Sequence, residues 1–82
     1  IGPLDLSFAL GKPAQLADED FLAAFDRIVA AGHAANTPVG SIAPNADRAQ
    51  AMREAGVNFL ALGSDGLLLR SALSSSIDAL NN

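Results

Sequence analysis

One local pattern occurs twice in this chain and restricts its architecture more than any other feature. Ala30-Ala31-Gly32 leads through a short link to Val39-Gly40-Ser41-Ile42-Ala43 and then to a helical segment. Glu54-Ala55-Gly56 leads to Phe59-Leu60-Ala61-Leu62-Gly63 and then to another. Each copy reads as helix end, glycine, short apolar strand, polar turn, helix. Regular alternation of this kind implies α/β architecture with a parallel sheet. Strands that are apolar throughout imply a sheet covered on both faces. An open doubly wound sheet and a TIM barrel both satisfy the pattern.

The local signals place the elements. Asp18-Glu19-Asp20 starts a helix, because acids cap free N–H groups and favour the positive end of the dipole. Phe21, Leu22, Phe25, Ile28 and Val29 share one face of it, and Gly32 is expected to end it as a C′ glycine. A strand is predicted over 37–43. Asn45 caps a helix carrying Ala46, Ala49, Met52 and Ala55, which Gly56 closes. A second buried strand is predicted over 58–63. Ser64-Asp65-Gly66 then turns into a last helix, with Leu68, Leu69, Ala72, Leu73, Ile77 and Leu80 as its inner face. The opening residues read as the end of a further strand, so the expected order is strand end, helix, strand, helix, strand, helix.

Charge and composition narrow the partners. The 82 residues suffice for one small domain, read here as residues 1–82 of a single domain and as a piece of a longer protein. The net charge is −4, and Lys12, Arg27, Arg48, Arg53 and Arg70 are scattered, which argues against nucleic acid as a partner. No apolar run reaches the roughly 18–20 residues of a membrane span. The absence of cysteine fits a cytoplasmic setting.

In either architecture, sites lie beyond the C-terminal ends of the strands. Three turns fall there: Gly2 to Ser7, Ala43 to Asn45, and Gly63 to Gly66. Asp5 is the strongest candidate, an isolated acid between Leu4 and Leu6 after a Gly-Pro step. Gly2 allows close approach or an unusual φ, and Pro3 stiffens the backbone. A carboxylate is a hard donor suited to Mg²⁺ or Mn²⁺. Asp65 reads as a helix cap. Ser7 and Ser64 have no evident base beside them, and His33 reads as a surface residue on the opposite side of the fold. Gly63-Ser64-Asp65-Gly66 is only loosely like a phosphate-binding loop.

The stretch Ile1-Gly2-Pro3-Leu4-Asp5-Leu6-Ser7, followed by Leu10-Gly11, resembles the Gly-Pro-x-Asp-Leu-(Ser or Ala)…Leu-Gly motif of the HpcH/HpaI family of class II pyruvate aldolases. The likeness continues through Gly40-Ser41-Ile42-Ala43-Pro44 and through Gly56 to Asp65, in the family's order. It is nearest the branch acting on 2-keto-3-deoxy sugar acids, such as 2-dehydro-3-deoxyglucarate. The resemblance implies the C-terminal part, about three βα units, of a TIM barrel in the phosphoenolpyruvate/pyruvate-binding superfamily. It implies that Asp5 is a ligand of a divalent metal (Mg²⁺, Mn²⁺ or Co²⁺). It puts Leu4 at the position whose backbone contacts substrate, where many members have a small residue. Ile42 takes the place of an apolar residue near the substrate.

The resemblance further implies a mechanism. Pyruvate chelates the metal, which stabilises the enolate formed as the carbon–carbon bond of a 4-hydroxy-2-oxo acid breaks, releasing pyruvate and an aldehyde. The second carboxylate ligand, an enolate-stabilising Arg and a His/Asp base lie upstream in the family, so these 82 residues alone are expected to be inactive. Family members exchange the last helix between subunits of a hexamer, which gives the run Leu67-Leu68-Leu69 a role in a homo-oligomer. Two other readings stand beside this one: a CoA-ester lyase of the citryl- or malyl-CoA type, and a non-catalytic barrel piece used in assembly.

Overall fold

The computed structural model describes all 82 residues. Its elements are α1 (Pro3–Ala9), α2 (Glu19–Ala34), β1 (Gly40–Ala43), α3 (Ala46–Glu54), β2 (Phe59–Leu62) and α4 (Asp65–Asn81). The three longer helices start on side-chain caps, which satisfy otherwise unpaired N–H groups. The Asp18 carboxylate accepts from the N–H of Asp20 and Phe21 at 2.9 and 3.2 Å. The Asn45 side chain accepts from Arg48 N–H at 2.9 Å, and Ser64 Oγ accepts from Leu67 N–H at 3.2 Å. α1 instead has Pro3 in its first turn, where a missing N–H costs nothing.

β1 and β2 pair in parallel, with Gly40 opposite Phe59 and Ala43 opposite Leu62, and α3 connects them. The core lies on one face of this pair. Phe21, Phe25 and Val29 recur along α2 at helical spacing and meet Val39, Ala43, Met52 and Val57. Phe21 and Phe25 pack with ring centroids 6.0 Å apart and planes tilted by 39°.

Several sequence expectations need correction. The opening residues do not form a strand. Gly2 is extended and Pro3 begins a helix. The nitrogen of Ile1 nevertheless donates to Gly40 O at 2.6 Å. The carbonyls of Val39 and Ala43 are turned toward β2. That of Gly40, out of phase with them, points to the other edge, so Ile1 lies where a neighbouring strand would. Two strands are therefore formed where three were expected.

Gly32 does not end α2, which runs on to Ala34. The left-handed residue is Asn36, at φ +54°, and Thr37 N–H donates back to Gly32 O at 2.8 Å, closing the helix end. Gly32 serves packing instead: a Cβ there would sit 2.3 Å from Val39 Cγ2. Gly56, at φ +105°, does close α3. Both strands are shorter than predicted. Thr37 belongs to the exit of α2, and Val39 N–H bonds the Asn58 side chain at 2.9 Å.

The sheet is not covered on both faces. Ser41 and Ala43 are buried, whereas Ile42, Phe59, Ala61 and Leu62 are exposed. α4 buries none of its residues, so its apolar stripe is not an inner face of this chain. The radius of gyration is 14.9 Å, against about 12 Å for a compact domain of this size. No helix is long and apolar enough to cross a membrane.

Helix propensity favours alanine over glycine at position 32 by about 1 kcal/mol. Overpacking against the buried, β-branched Val39 costs about 1–3 kcal/mol, and its stiff side chain cannot swing clear. Gly32→Ala is therefore expected to lower the urea unfolding midpoint. A raised midpoint would show that propensity wins and that the close approach is incidental.

Candidate functional site

α1 has only seven residues, too few to hold itself helical in water. Its position depends on what it buries, and those residues are Pro3 and Ser7. Asp5 lies in its first turn, where a carboxylate is favoured by the helix dipole. This corrects the expectation of a carboxylate at a strand end: Asp5 is held by a short anchored helix. Gly2 provides space beside it, since a Cβ at Gly2 would come within 3.0 Å of Asp5 Oδ2.

The three turns identified in the sequence converge. Gly2, Pro3, Leu4 and Asp5 meet Ile42 and Pro44 from the end of β1, and Gly63, Ser64 and Leu67 from the end of β2. They line an opening of about 460 Å³, which Leu16 closes from the segment between α1 and α2. A mostly apolar wall with few polar groups is the usual make-up of a small-molecule site. Asp5, Leu4 and Ile42, the three residues singled out, all face it. Ile42 reaches it because β1 alternates: its neighbours Ser41 and Ala43 point to the core.

The other candidates take structural roles. Asp65 is not the cap of α4; Ser64 is, and Asp65 follows it and accepts from Gly66 N–H at 2.8 Å. Ser7 is fully buried, donating to Leu4 O at 2.7 Å and accepting from Ala14 N–H at 2.9 Å. His33 lies at the opposite end of the strands, its Nε2 2.9 Å from Gly56 O. Leu16 was not foreseen. It is a single leucine in an aperiodic segment, and only the nearby Lys12 and Asp18 hint that the segment is folded back.

Lys12 is the clamp of that segment. Its ammonium donates to Asp18 at 2.8 Å and also pairs with Asp20 at 2.9 Å. The hydrogen bond to Asp18, then that to Asp20, raises the lysine above its ordinary range. The hydrogen bond from Lys12 holds Asp18 below the usual carboxylate range, against desolvation and helped by the N–H groups of Phe21 and Asp20. Asp5 takes no part in these ion pairs. No group of three or more His, Cys, Asp or Glu side chains gathers anywhere in the chain. A carboxylate such as that of Asp5 is a hard oxygen donor of the kind divalent cations take, and these residues by themselves supply no full ligand set.

A family model described as HpcH/HpaI aldolase/citrate lyase matches residues 1–72. The chain is similar to the crystal structure of an HpcH/HpaI aldolase/citrate lyase family protein from Burkholderia cenocepacia J2315, with 30% sequence identity and a TM-score of 0.91. That match covers 99% of this chain and 32% of the other, so the chain spans about a third of that protein's length. No curated protein matches significantly.

The clamp has a pH signature. Asp18 titrates below its ordinary 3.8 when folded. Its contribution to stability is therefore full above that value and lost as pH falls through the depressed folded value. Lys12→Met is expected to move the Asp18 carboxyl titration, followed by NMR, back up toward the ordinary value and to shrink this acid limb, the cap bonds from Asp20 and Phe21 N–H remaining. An unmoved titration would show that the ion pair does not form in solution.

Proposed function

This chain belongs to the HpcH/HpaI aldolase/citrate lyase family, and on that premise we propose that it is the C-terminal part of a TIM-barrel, divalent-metal-dependent aldolase. The reaction is cleavage of a 4-hydroxy-2-oxo acid, such as 2-keto-3-deoxyglucarate, to pyruvate and an aldehyde. The observation that carries this reading is the convergence of Leu4, Asp5 and Ile42 on one apolar opening at the C-terminal ends of β1 and β2. Catalytic residues of (β/α)₈ enzymes lie at that end. The open sheet face bearing Ile42, Phe59 and Ala61 is what a barrel interior would fill.

In this reading Asp5 supplies one ligand to Mg²⁺, Mn²⁺ or Co²⁺. The metal's contribution is Lewis-acid stabilisation of the negative charge that builds on the 2-oxo acid as the carbon–carbon bond breaks. The backbone at Leu4 orients the substrate, Ile42 covers its apolar side, and Leu16 and Leu67 help to exclude water. Within these 82 residues Lys12 is not suited to Schiff-base chemistry. A nucleophilic lysine needs a lowered pKa, and Lys12, the only lysine, has a raised one and is held by two carboxylates.

The decisive assay is pyruvate release from 2-keto-3-deoxyglucarate by the whole protein, first with Mg²⁺ and then with EDTA. Release that EDTA abolishes, and that Asp5→Ala reduces to background, is the expected result. Wild-type turnover by Asp5→Ala would sink the assignment. The family's description also covers citrate lyases, so turnover of citryl- or malyl-CoA in place of the sugar acid would move the chemistry to CoA-ester cleavage.

The apolar residues of α4 support assembly as well. Leu68, Leu69, Leu73 and Ile77 are all more than half exposed, which fits a helix that packs on another subunit of a homo-oligomer, a hexamer in this reading. Light scattering on the whole protein should give a hexameric mass, and a monomer would contradict the exchange.

A further inference from the structure

The hydroxyl of Ser7 is placed to link two parts of the site that are separate in sequence. It donates to Leu4 O at 2.7 Å, the carbonyl immediately before Asp5. It accepts from Ala14 N–H at 2.9 Å. The Ser7 carbonyl accepts from Lys12 N–H, also at 2.9 Å, so the segment after α1 is wrapped around this one residue. Ser7 is at 0% exposure, and loss of its hydroxyl would leave two backbone groups without these partners.

Ala14 supplies a second, independent observation. Its φ is +60°, in the left-handed region where a residue with a Cβ is strained. Such a conformation persists only where the surroundings over-determine it. The bond to Ser7 is one restraint on Ala14, and the Lys12 clamp on Asp18 and Asp20 secures the segment on either side. Two residues beyond Ala14 the chain delivers Leu16 to the wall of the opening that Asp5 faces.

We infer that Ser7 is a positioning residue: through Leu4 it sets the Asp5 carboxylate, and through the strained Ala14 it sets the Leu16 wall, so that metal affinity and pocket closure depend on one buried hydroxyl. The inference rests on the reading of Asp5 as a metal ligand. It predicts that relaxation of Ala14 propagates to Asp5, although neither Ser7 nor Ala14 touches the metal.

The test is Mn²⁺ binding to the whole protein, read from the EPR signal of free Mn²⁺ well below the melting temperature of each variant. Ser7→Ala is expected to weaken binding about tenfold, the lower end of what removing a supporting partner does to a metal site. Adding Ala14→Gly should recover little of the loss, because the hydroxyl that joins Ala14 to Leu4 is already gone. Ala14→Val, at an exposed position that puts folding at little risk, should weaken binding with Ser7 intact, because a β-branched residue resists that φ. Ser7→Ala or Ala14→Val binding within twofold of wild type, or a double variant that regains wild-type binding, would overturn the inference. If Asp5→Ala abolishes binding in the same series, the metal-ligand reading survives that failure. If Asp5→Ala binds as wild type does, both fall together.

Discussion

The structure depends on one apolar seam, where the Phe21, Phe25 and Val29 stripe of α2 meets Val39, Ala43, Met52 and Val57. This is where burial opposes the conformational entropy of the chain. Its tightness comes from a small residue at the crossing. Gly32 lets Val39 approach α2; on the other, open face of the sheet Gly40 leaves room for the Phe59 ring, which a Cβ would meet at 2.1 Å. Because the seam lies on one face only, the opposite face of the sheet and the whole of α4 carry apolar side chains that this chain does not cover. An 82-residue chain with 10 buried residues has most of its hydrophobic potential still to satisfy.

That geometry also determines where the turns meet. The seam orients β1 and β2 in parallel, so both strands release their turns at the same end, and α1 is drawn to that end beside β1. Asp5 is then held by a short helix whose anchors are Pro3 and Ser7, not by a strand. Its placement depends on those anchors, because a seven-residue helix does not hold itself in water. The buried hydroxyl and the lysine clamp act toward the same end: they keep an irregular segment against the site without regular secondary structure.

How much of this was legible in advance differs residue by residue. Asn45 and Gly56 were readable because caps and left-handed C′ glycines are local chemistry, governed by neighbours within one turn. The core stripe of α2 was readable because its spacing is periodic. Gly32 was misread because a glycine near a helix end has two explanations, a positive φ or a close approach, and only the position of Val39 separates them. The strand expected at the opening residues was misread because an extended apolar-Gly-Pro start suits a strand end and an N-capped helix alike. Leu16 carried no signal, since a lone leucine in an aperiodic segment takes its role entirely from what lies across from it.

By itself the sequence determined the alternation of helix and strand from α2 onward, the N-caps of α2 and α3, and the motifs of the HpcH/HpaI family. All of these rest on short-range stereochemistry or on motifs contiguous in the chain. Only the tertiary structure decided that Ser7 and Ala14 are joined, that Lys12 is held between Asp18 and Asp20, and that Leu16 faces Asp5. It alone decided that one sheet face and α4 remain open. Those outcomes depend on which side chains meet across the seam, and a hydrogen bond or a buried surface has no partner until the chain has folded around it.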